Sequence, residues 1–345
     1  EEWGLVESLK RSVGMFALAL WDRSQRSLHL ARDRVGEKPL YYGWVGRSFL
    51  FASELKAMRR FGEWRPAIDR QALALLMRYS YIPAPYSIYQ GITKLAPGSI
   101  LTITPHASTK ETVTTYWSLS DVVKAGAAQR FLGSEDDAVQ CLDQLLRNSI
   151  RAQMVSDVPL GAFLSGGVDS SAVVALMQAQ STRPVKTFTI GFQEQAYNEA
   201  VHAKAVAKHL GTDHTELYVT SDDALAVIPR LPTLYDEPFA DSSQIPTFLV
   251  SQLARRKVTV SLSGDGGDEL FGGYNRYFLA RAIWERVSRI PKPIRHVAAY
   301  GITRVSPKTW TAMFSRVSSL LPAPLRPRTF GDGLFKVANV LRASK

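Results

Sequence analysis

The sequence is poor in cysteine and in long apolar runs. Cys141 is the only cysteine in 345 residues, which excludes an internal disulfide and a multi-thiolate metal site. No unbroken apolar stretch reaches the roughly 20 residues that span a bilayer. The first four residues, Glu1-Glu2-Trp3-Gly4, carry neither the basic nor the apolar part of a signal peptide. These absences favour a cytoplasmic protein with no membrane partner. Cys141 lies in the middle of a predicted helix, and we expect it to be a small core residue.

Charge is unevenly distributed along the chain. Residues 281–345 carry 13 Lys or Arg against two acids, whereas basic and acidic residues balance in the rest. Such a segment can contact nucleic acid or membranes. We expect a solvated or packed helical surface instead, because no aromatic-interleaved nucleic-acid motif accompanies the charges. Strongly salt-dependent binding to DNA or RNA would favour the other interpretation.

The first ~115 residues have the pattern of antiparallel β-structure. Short apolar or alternating runs are separated by polar turns, and they cover residues 15–21, 28–32, 38–44, 48–52 and 99–103. A helix is predicted from Arg70 to Tyr79. Residues 118–133 show no clear period and are predicted to be a linker, which gives domains at 1–117 and 134–345.

The pattern changes to alternating helices and strands after the linker. Ser134 can cap a helix together with Asp137. Three strand runs are predicted at 158–164, 185–191 and 258–262, with helices at about 172–178 and 198–210. This alternation indicates a doubly wound parallel sheet, an α/β fold. Ligands of such sheets bind beyond the carboxyl ends of the strands, where this sequence has its Gly, Ser and Asp clusters.

The first cluster follows the first of these strands and has the sequence Ser165-Gly166-Gly167-Val168-Asp169-Ser170-Ser171. Glycines let a backbone approach a ligand closely, and consecutive N–H groups at a helix start attract an anion. Asp169 suits a phosphate site only if a cation bridges the two. An ordinary strand–helix turn is the plain alternative. The Walker A spacing is absent.

The second cluster, residues 261–274, follows the third strand and has the sequence SLSGDGGDELFGGY. It contains Asp265, Asp268 and Glu269 beside four glycines. Clustered carboxylates repel one another unless a cation lies among them, and Mg²⁺ prefers oxygen ligands. A solvated acidic turn is the alternative.

These motifs resemble known families. Ser165 to Ser171 resembles the pyrophosphate-binding loop of the ATP pyrophosphatase superfamily, and residues 261–274 resemble the matching segment of glutamine-hydrolysing asparagine synthetases. Residues 235–246, YDEPFADSSQIP, resemble the acceptor-binding stretch of the same family. Asp265 departs from the family pattern, in which glutamate is common at that position.

The resemblance implies roles for individual residues. It makes Asp169 and Asp268 the ligands of Mg²⁺, and those two with Glu269 the catalytic acids. The residues implied in ATP binding are Leu164, Ser165, Gly166, Gly167, Asp169, Ser170, Ser171, Ile190, Ser263 and Gly264. The residues implied in acceptor binding are Asp241, Ser242 and Ser243. A plain core role for Leu164 and Ile190, and a capped helix start at Asp241, are the alternatives.

The N-terminal region resembles the last half of a class II glutamine amidotransferase domain. The matching strings are residues 14–22, 31–42 and 51–57. That family uses an N-terminal cysteine as nucleophile, and this sequence begins with Glu1. We therefore expect a fragment that is short at both ends and does not hydrolyse glutamine.

The resemblance as a whole implies an asparagine synthetase. Such an enzyme converts aspartate to asparagine through β-aspartyl-AMP, uses ATP and ammonia from glutamine, and releases AMP and pyrophosphate. A sugar, a peptide or another carboxylate as acceptor remains an alternative. A nucleotide-binding or interaction protein that has lost catalysis is another. A homodimer also remains open.

Overall fold

The computed structural model describes residues 2–104, 110–192, 199–318 and 330–343. The chain forms two compact units, Glu1–Gly264 and Asp265–Lys345. In the described residues, the first unit holds two antiparallel sheets and one parallel sheet. The predicted α/β fold, with antiparallel structure first and a parallel sheet after it, is confirmed.

The antiparallel part of the first unit consists, in the described residues, of seven strands. Their bounds are β1 Ala17–Asp22, β2 Ser27–Arg32, β3 Tyr41–Val45, β4 Ser48–Ala52, β5 Ile92–Lys94, β6 Ser99–Thr104 and β7 Lys110–Thr115. They pair in the orders β1-β2-β6-β7 and β4-β3-β5. The helices that accompany them are α1 Gly4–Arg11, α2 Leu55–Met58 and α3 Arg70–Tyr79.

Local sequence explains where these elements turn and end. The Asp22 carboxylate accepts hydrogen bonds from the backbone N–H groups of Ser24 and Gln25, which closes the turn between β1 and β2. Asp69 caps α3 by accepting from the N–H groups of the second and third helical residues. The prediction of a helix over Arg70–Tyr79 is confirmed.

Two helices connect the antiparallel and parallel parts. Helix α4 spans Leu119–Ala128 within the predicted linker and buries none of its residues. Helix α5 spans Glu135–Gln153, and Ser134 and Asp137 form the predicted capping box at its start. Cys141 is exposed on α5. The prediction of a core cysteine is wrong, because Ile150 is the one buried residue of this helix.

The parallel sheet has, in the described residues, four strands in the order β10-β9-β8-β11. Their bounds are β8 Leu160–Phe163, β9 Lys186–Phe192, β10 Asp213–Val219 and β11 Val260–Leu262. The helices between them are α6 Val168–Ala179, α7 Ala200–Leu210, α8 Ser221–Val227, α9 Leu231–Leu234 and α10 Gln244–Ala254, with a 3-10 helix at Ile228–Arg230. Asn198, the predicted start of α7, lies outside the described residues.

Helices cover the parallel sheet on both faces. Ala162 belongs to a core with residues of α5, α6 and α7. The next residue, Phe163, packs against Phe188 and the end of α10. Since successive side chains of a strand point to opposite faces, the sheet is doubly wound. The chain leaves β8 toward β9 on one side and returns to β11 on the other, so the switch point of the topology lies between β8 and β11.

The second unit is helical in its described residues. Its helices are α11 Gly267–Phe271, α12 Asn275–Val287, α13 Lys292–Arg304, α14 Pro307–Ser318 and α15 Phe330–Arg342. Ala299 of α13 and Ala338 and Leu341 of α15 form its core. Arg295 is buried, with its guanidinium over the ring of Trp284 and one N–H donated to the carbonyl of Ala343. No helix in the described parts of either unit is long and apolar enough to cross a bilayer.

Candidate active site

The loop after β8 makes a close approach between the backbone and α7. Gly166 has φ +81°, and a Cβ there would lie 2.6 Å from the Ala203 nitrogen and 2.7 Å from the His202 carbonyl carbon. Only glycine fits this conformation and this space. Gly167 then caps α6 without a side-chain hydrogen bond, so the first N–H groups of α6 have no side-chain cap from that residue. Such a helix start attracts an anion.

The loop serines bind one another. The Ser170 hydroxyl lies 2.9 Å from the Ser165 hydroxyl and 3.2 Å from the Ser165 backbone N–H, which donates to it. The Ser165 hydroxyl in turn accepts from the N–H of Gly167. The Ser171 hydroxyl oxygen is buried without a hydrogen-bond partner among the described residues. These bonds fix the loop and engage the hydroxyls of Ser165 and Ser170.

Gly264, near the start of the second glycine-rich motif, lies against the first motif. A Cβ on Gly264, two residues after β11, would lie 2.6 Å from the Ser170 nitrogen and 2.9 Å from the Asp169 carbonyl carbon. The chain that leaves β11 therefore passes directly over the first turn of α6, and Ser263, the residue before Gly264, is half-buried there. This contact is at the switch point between β8 and β11, where open α/β sheets bind ligands.

Two predicted nucleotide-binding residues belong to the hydrophobic core. Leu164 is 1% exposed and packs with α5, α6 and α7. Its N–H donates to the carbonyl of Phe188, which extends the parallel pairing of β8. Ile190 of β9 packs against Val219 and Leu249. The side chains of both residues support the alternative, a core role.

The acids of the second motif lie in and beside α11. Gly266, with φ +90°, precedes the helix. The backbone N–H of Gly273 donates to the Asp268 carbonyl, and a Cβ on Gly273 would collide with the Asp268 carboxylate. Asp268 is half-buried, while Glu269 accepts a 2.6 Å hydrogen bond from the Tyr274 hydroxyl. Local packing thus orients both acids.

The predicted acceptor residues form the entry to α10. Asp241, Ser242 and Ser243 are all exposed, and the Asp241 carboxylate accepts a 2.9 Å hydrogen bond from the Ser243 N–H. Hydrogen bonds from the Ser243 backbone and hydroxyl lower the pKa of Asp241 below its usual value. The alternative interpretation of these residues is a capped helix start at Asp241. In the structure α10 begins at Gln244, its N-cap is Ser243 without a side-chain cap, and exposed Asp241 closes the turn before the helix.

The residues just before them make contacts that the sequence did not predict. Asp236 and Glu237 have side chains only 12% and 11% exposed. Glu237 pairs with Lys94 of β5, and Asp236 accepts from the N–H groups of Leu55 and Lys56 at the start of α2. A buried carboxylate is costly unless it is paired, but the sequence alone does not reveal that these two acids are buried.

The motifs offer oxygen ligands for a divalent cation, but the described residues do not form a complete set of protein ligands around one position. No group of three or more His, Cys, Asp or Glu in the described residues could hold a metal. Mg²⁺ is commonly bound by one or two carboxylates together with substrate phosphates and water. Half-buried Asp169 in the first turn of α6 and half-buried Asp268 in α11 are each suited to that donor set.

Two family models match the chain. Residues 141–344 match the family model "Asparagine synthase", and residues 1–117 match "Glutamine amidotransferase domain". Asparagine synthetase [glutamine-hydrolyzing] 1 of Bacillus subtilis is 35% identical over 297 residues, which are 85% of this chain and 45% of the relative.

Two further relatives show the range of similarity. Putative asparagine synthetase [glutamine-hydrolyzing] 2 of Methanocaldococcus jannaschii is 36% identical over 85% of this chain and 56% of its own length. Amidase chry2 of Gibberella zeae is 29% identical over 76% of this chain and 40% of its own length. The chain thus spans about half the length of each of the two asparagine synthetases. Because the first family model covers more than half of the chain, the chain belongs to the asparagine synthase family.

Proposed function

We propose that the chain belongs to a carbon–nitrogen ligase that uses ATP to turn a carboxylate into an amide. In detail, aspartate becomes asparagine through β-aspartyl-AMP, with ammonia from glutamine and release of AMP and pyrophosphate. The contact of Gly264 with the first turn of α6 carries the proposal, since it joins both glycine-rich motifs at the switch point of the parallel sheet. The relatives named asparagine synthetase support the choice of reaction.

The proposed ATP site uses backbone donors and carboxylates. The N–H groups at the start of α6 bind the pyrophosphate part of ATP, with Ser165 and Ser170 fixing the loop. Asp169 and Asp268 are the proposed Mg²⁺ ligands. When bound, Mg²⁺ would neutralise the charge that develops on the leaving pyrophosphate.

The proposed acceptor site lies at the entry to α10. The exposed Asp241 carboxylate suits an ammonium group, because it is anionic at neutral pH, and the hydrogen bonds from Ser243 lower its pKa further. The Ser242 hydroxyl suits the α-carboxylate, and Ser243, whose hydroxyl and N–H bond to Asp241, orients the Asp241 carboxylate. An oxygen of the side-chain carboxylate attacks the α-phosphorus and pyrophosphate leaves. Ammonia then attacks the acyl carbon and AMP leaves. Glu269 remains the third proposed catalytic acid, oriented by Tyr274.

The proposal extends to domains and compartment. We assign 1–117 to the amidotransferase region, 118–133 to the connection that includes α4, and 134–345 to the ATP-binding synthetase region. No role in glutamine hydrolysis is assigned to Cys141, which is exposed on α5. We also propose a cytoplasmic location, where such a biosynthetic ligase finds ATP and aspartate.

A different acceptor is the second candidate. The relative named Amidase chry2 shows that similarity extends to a protein whose name is not asparagine synthetase. A sugar, a peptide or another carboxylate would then occupy the region around Asp241, with the same adenylation chemistry.

The test supplies the intact protein with ATP, Mg²⁺, ammonia and aspartate and identifies the nucleotide product. AMP and pyrophosphate formed only with aspartate are expected. Asp268→Ala should abolish this Mg²⁺-dependent product, while Asp157→Ala, at an exposed acid before β8, should not. AMP that ignores aspartate would favour another acceptor. ADP, no product, or full activity of Asp268→Ala would contradict the assignment.

A further inference from the structure

The segment 235–240 is fastened to the amidotransferase-type region by buried charges. We propose that Lys94, Glu237 and Asp236 are positioning residues: they hold the acceptor-binding turn 241–243 in place, so that affinity for the acceptor depends on residues of region 1–117. The inference rests on the proposed function, because that proposal gives residues 241–243 their role.

Glu237 is the centre of the contact. One carboxylate oxygen accepts from the N–H of Ile88 at 2.7 Å, and the other lies 2.5 Å from the Lys94 ammonium. The Tyr41 hydroxyl adds a longer hydrogen bond at 3.4 Å. Lys94 and Glu237 have side chains 14% and 11% exposed, so separating them would leave two buried charges unpaired. That cost keeps the contact closed.

The Tyr41 hydroxyl lies in the same buried environment as the Glu237 carboxylate. Burial, followed by the nearby charges of Glu237 and Asp236, raises the pKa of Tyr41 far above its usual value. The hydroxyl therefore stays protonated and donates to Glu237. Lys94 also donates to the carbonyl of Ile82 at 2.5 Å, so the lysine is itself fixed within region 1–117 and does not follow Glu237.

Asp236 makes a second, independent attachment. Its carboxylate accepts from the N–H of Leu55 at 2.6 Å and of Lys56 at 3.3 Å. These are the first two residues of α2, whose own N-cap Glu54 makes no side-chain cap. Orphan N–H groups at a helix start favour a carboxylate. A residue about 180 positions later in the chain thus supplies the cap.

Only a short segment connects these attachments to the acceptor-binding turn. Asp241 follows Glu237 by four residues, a span of at most about 14 Å when extended. Within it, Pro238 restricts the backbone, and the Ala240 N–H donates to the Ser80 carbonyl at 2.7 Å. The Phe239 ring packs edge-on against Tyr235 at 4.8 Å between centroids. A shift of Glu237 would therefore displace Asp241.

The test compares Lys94→Met, Glu237→Gln and the double variant in the intact protein, without any nitrogen donor. Glutamine hydrolysis then plays no part, and the acyl adenylate is not consumed by ammonia. Aspartate-dependent exchange of pyrophosphate into ATP gives KM values for both substrates. We expect the KM for aspartate to rise about tenfold, within the usual range of coupling between sites, while the KM for ATP stays within about twofold. Lys94→Arg keeps the positive charge, so its KM for aspartate should stay close to that of the unsubstituted protein.

Two controls separate positioning from stability. Lys124→Met breaks an exposed ion pair with Asp121 on α4 and should change neither KM. The double variant carries no unpaired buried charge, so it should fold even if Lys94→Met does not. Hydrogen exchange of residues 235–243 should accelerate in Lys94→Met and in the double variant, because both lack the lysine charge. Exchange of residues 160–175 should not change.

Two results would overturn the inference. Faster hydrogen exchange of residues 235–243 with an unchanged KM for aspartate would mean that the contact only stabilises the fold. Unchanged hydrogen exchange of these residues would mean that the contact does not hold the segment. If the unsubstituted protein shows no aspartate-dependent exchange into ATP, the proposed function fails, and the inferred role in acceptor binding fails with it, whereas hydrogen exchange still decides whether the attachment exists.

Discussion

Replacing Gly264 with alanine tests the contact that carries the proposed function. The new Cβ would meet three backbone atoms of α6, at 2.6 Å, 2.9 Å and 3.0 Å. Backbone atoms cannot rotate away as a side chain does, so an ordinary contact requires a shift of about 1 Å in the chain after β11 or in the start of α6. Overpacking of this kind costs about 1–3 kcal/mol of unfolding free energy. A 1 Å misplacement of a site costs about 100-fold in rate.

Urea unfolding and aspartate-dependent AMP formation measure the two effects. The matched control is Gly126→Ala on α4, where, apart from chain neighbours and the helix's own backbone, no described atom lies within 4 Å of the new Cβ. Alanine favours a helix over glycine by about 1 kcal/mol, so this variant should be as stable as the original protein or more stable. Equal stability and activity for both variants would refute the close approach of Gly264 to α6, and with it the joining of the motifs.

Two further predictions concern α5. Hydrogen bonds from the Ser134 hydroxyl and backbone N–H lower the pKa of Asp137; this stabilisation is present above the unfolded pKa and is lost as pH falls through the lowered one. Carboxyl NMR should show the pKa of Asp137 moving up toward its ordinary value in Ser134→Ala, and no movement would contradict the capping box. Exposed Cys141 should react with a thiol reagent without denaturant, and a thiol that reacts only after unfolding would place it in the core.

Much of the fold could be predicted where local signals and burial agree. Helix α3 has an Asp69 cap and a period that faces the core, and its predicted bounds match. Strand β4 follows a polar turn with a short apolar, aromatic run, and its predicted bounds, Ser48–Ala52, match as well. Both elements are specified by residues next to one another in the sequence, which is the information that periodicity reads.

Two elements whose sequences show no regular apolar period escaped prediction. Helix α4 buries no residue, and its apolar Leu119, Val122 and Val123 are exposed, so no core-facing period marks it. Strand β10 pairs with β9 at the edge of the parallel sheet. Its run from Asp213 to Val219 mixes charged and apolar residues, a pattern that does not distinguish an edge strand from a loop.

The candidate site divides in the same way. The loop from Ser165 to Ser171 could be predicted because one short string carries its glycines, hydroxyls and helix start. The roles of Asp236 and Glu237 could not, because their partners Leu55 and Lys94 are far away in the sequence. Whether a carboxylate is solvated or buried depends on tertiary packing, which a single sequence does not show.

The cap that Asp236 places on α2 has a consequence for how such a protein could evolve. If its gene were split between the two regions, one product would have a short helix with open N–H groups, and the other would expose Asp236 and Glu237 to water. Each product would need new partners for these groups before the parts could drift apart. The attachment therefore favours inheritance of the two regions as one polypeptide, and it predicts that exchange of either region between relatives succeeds only when Lys94, Glu237 and the start of α2 are exchanged as a matched set.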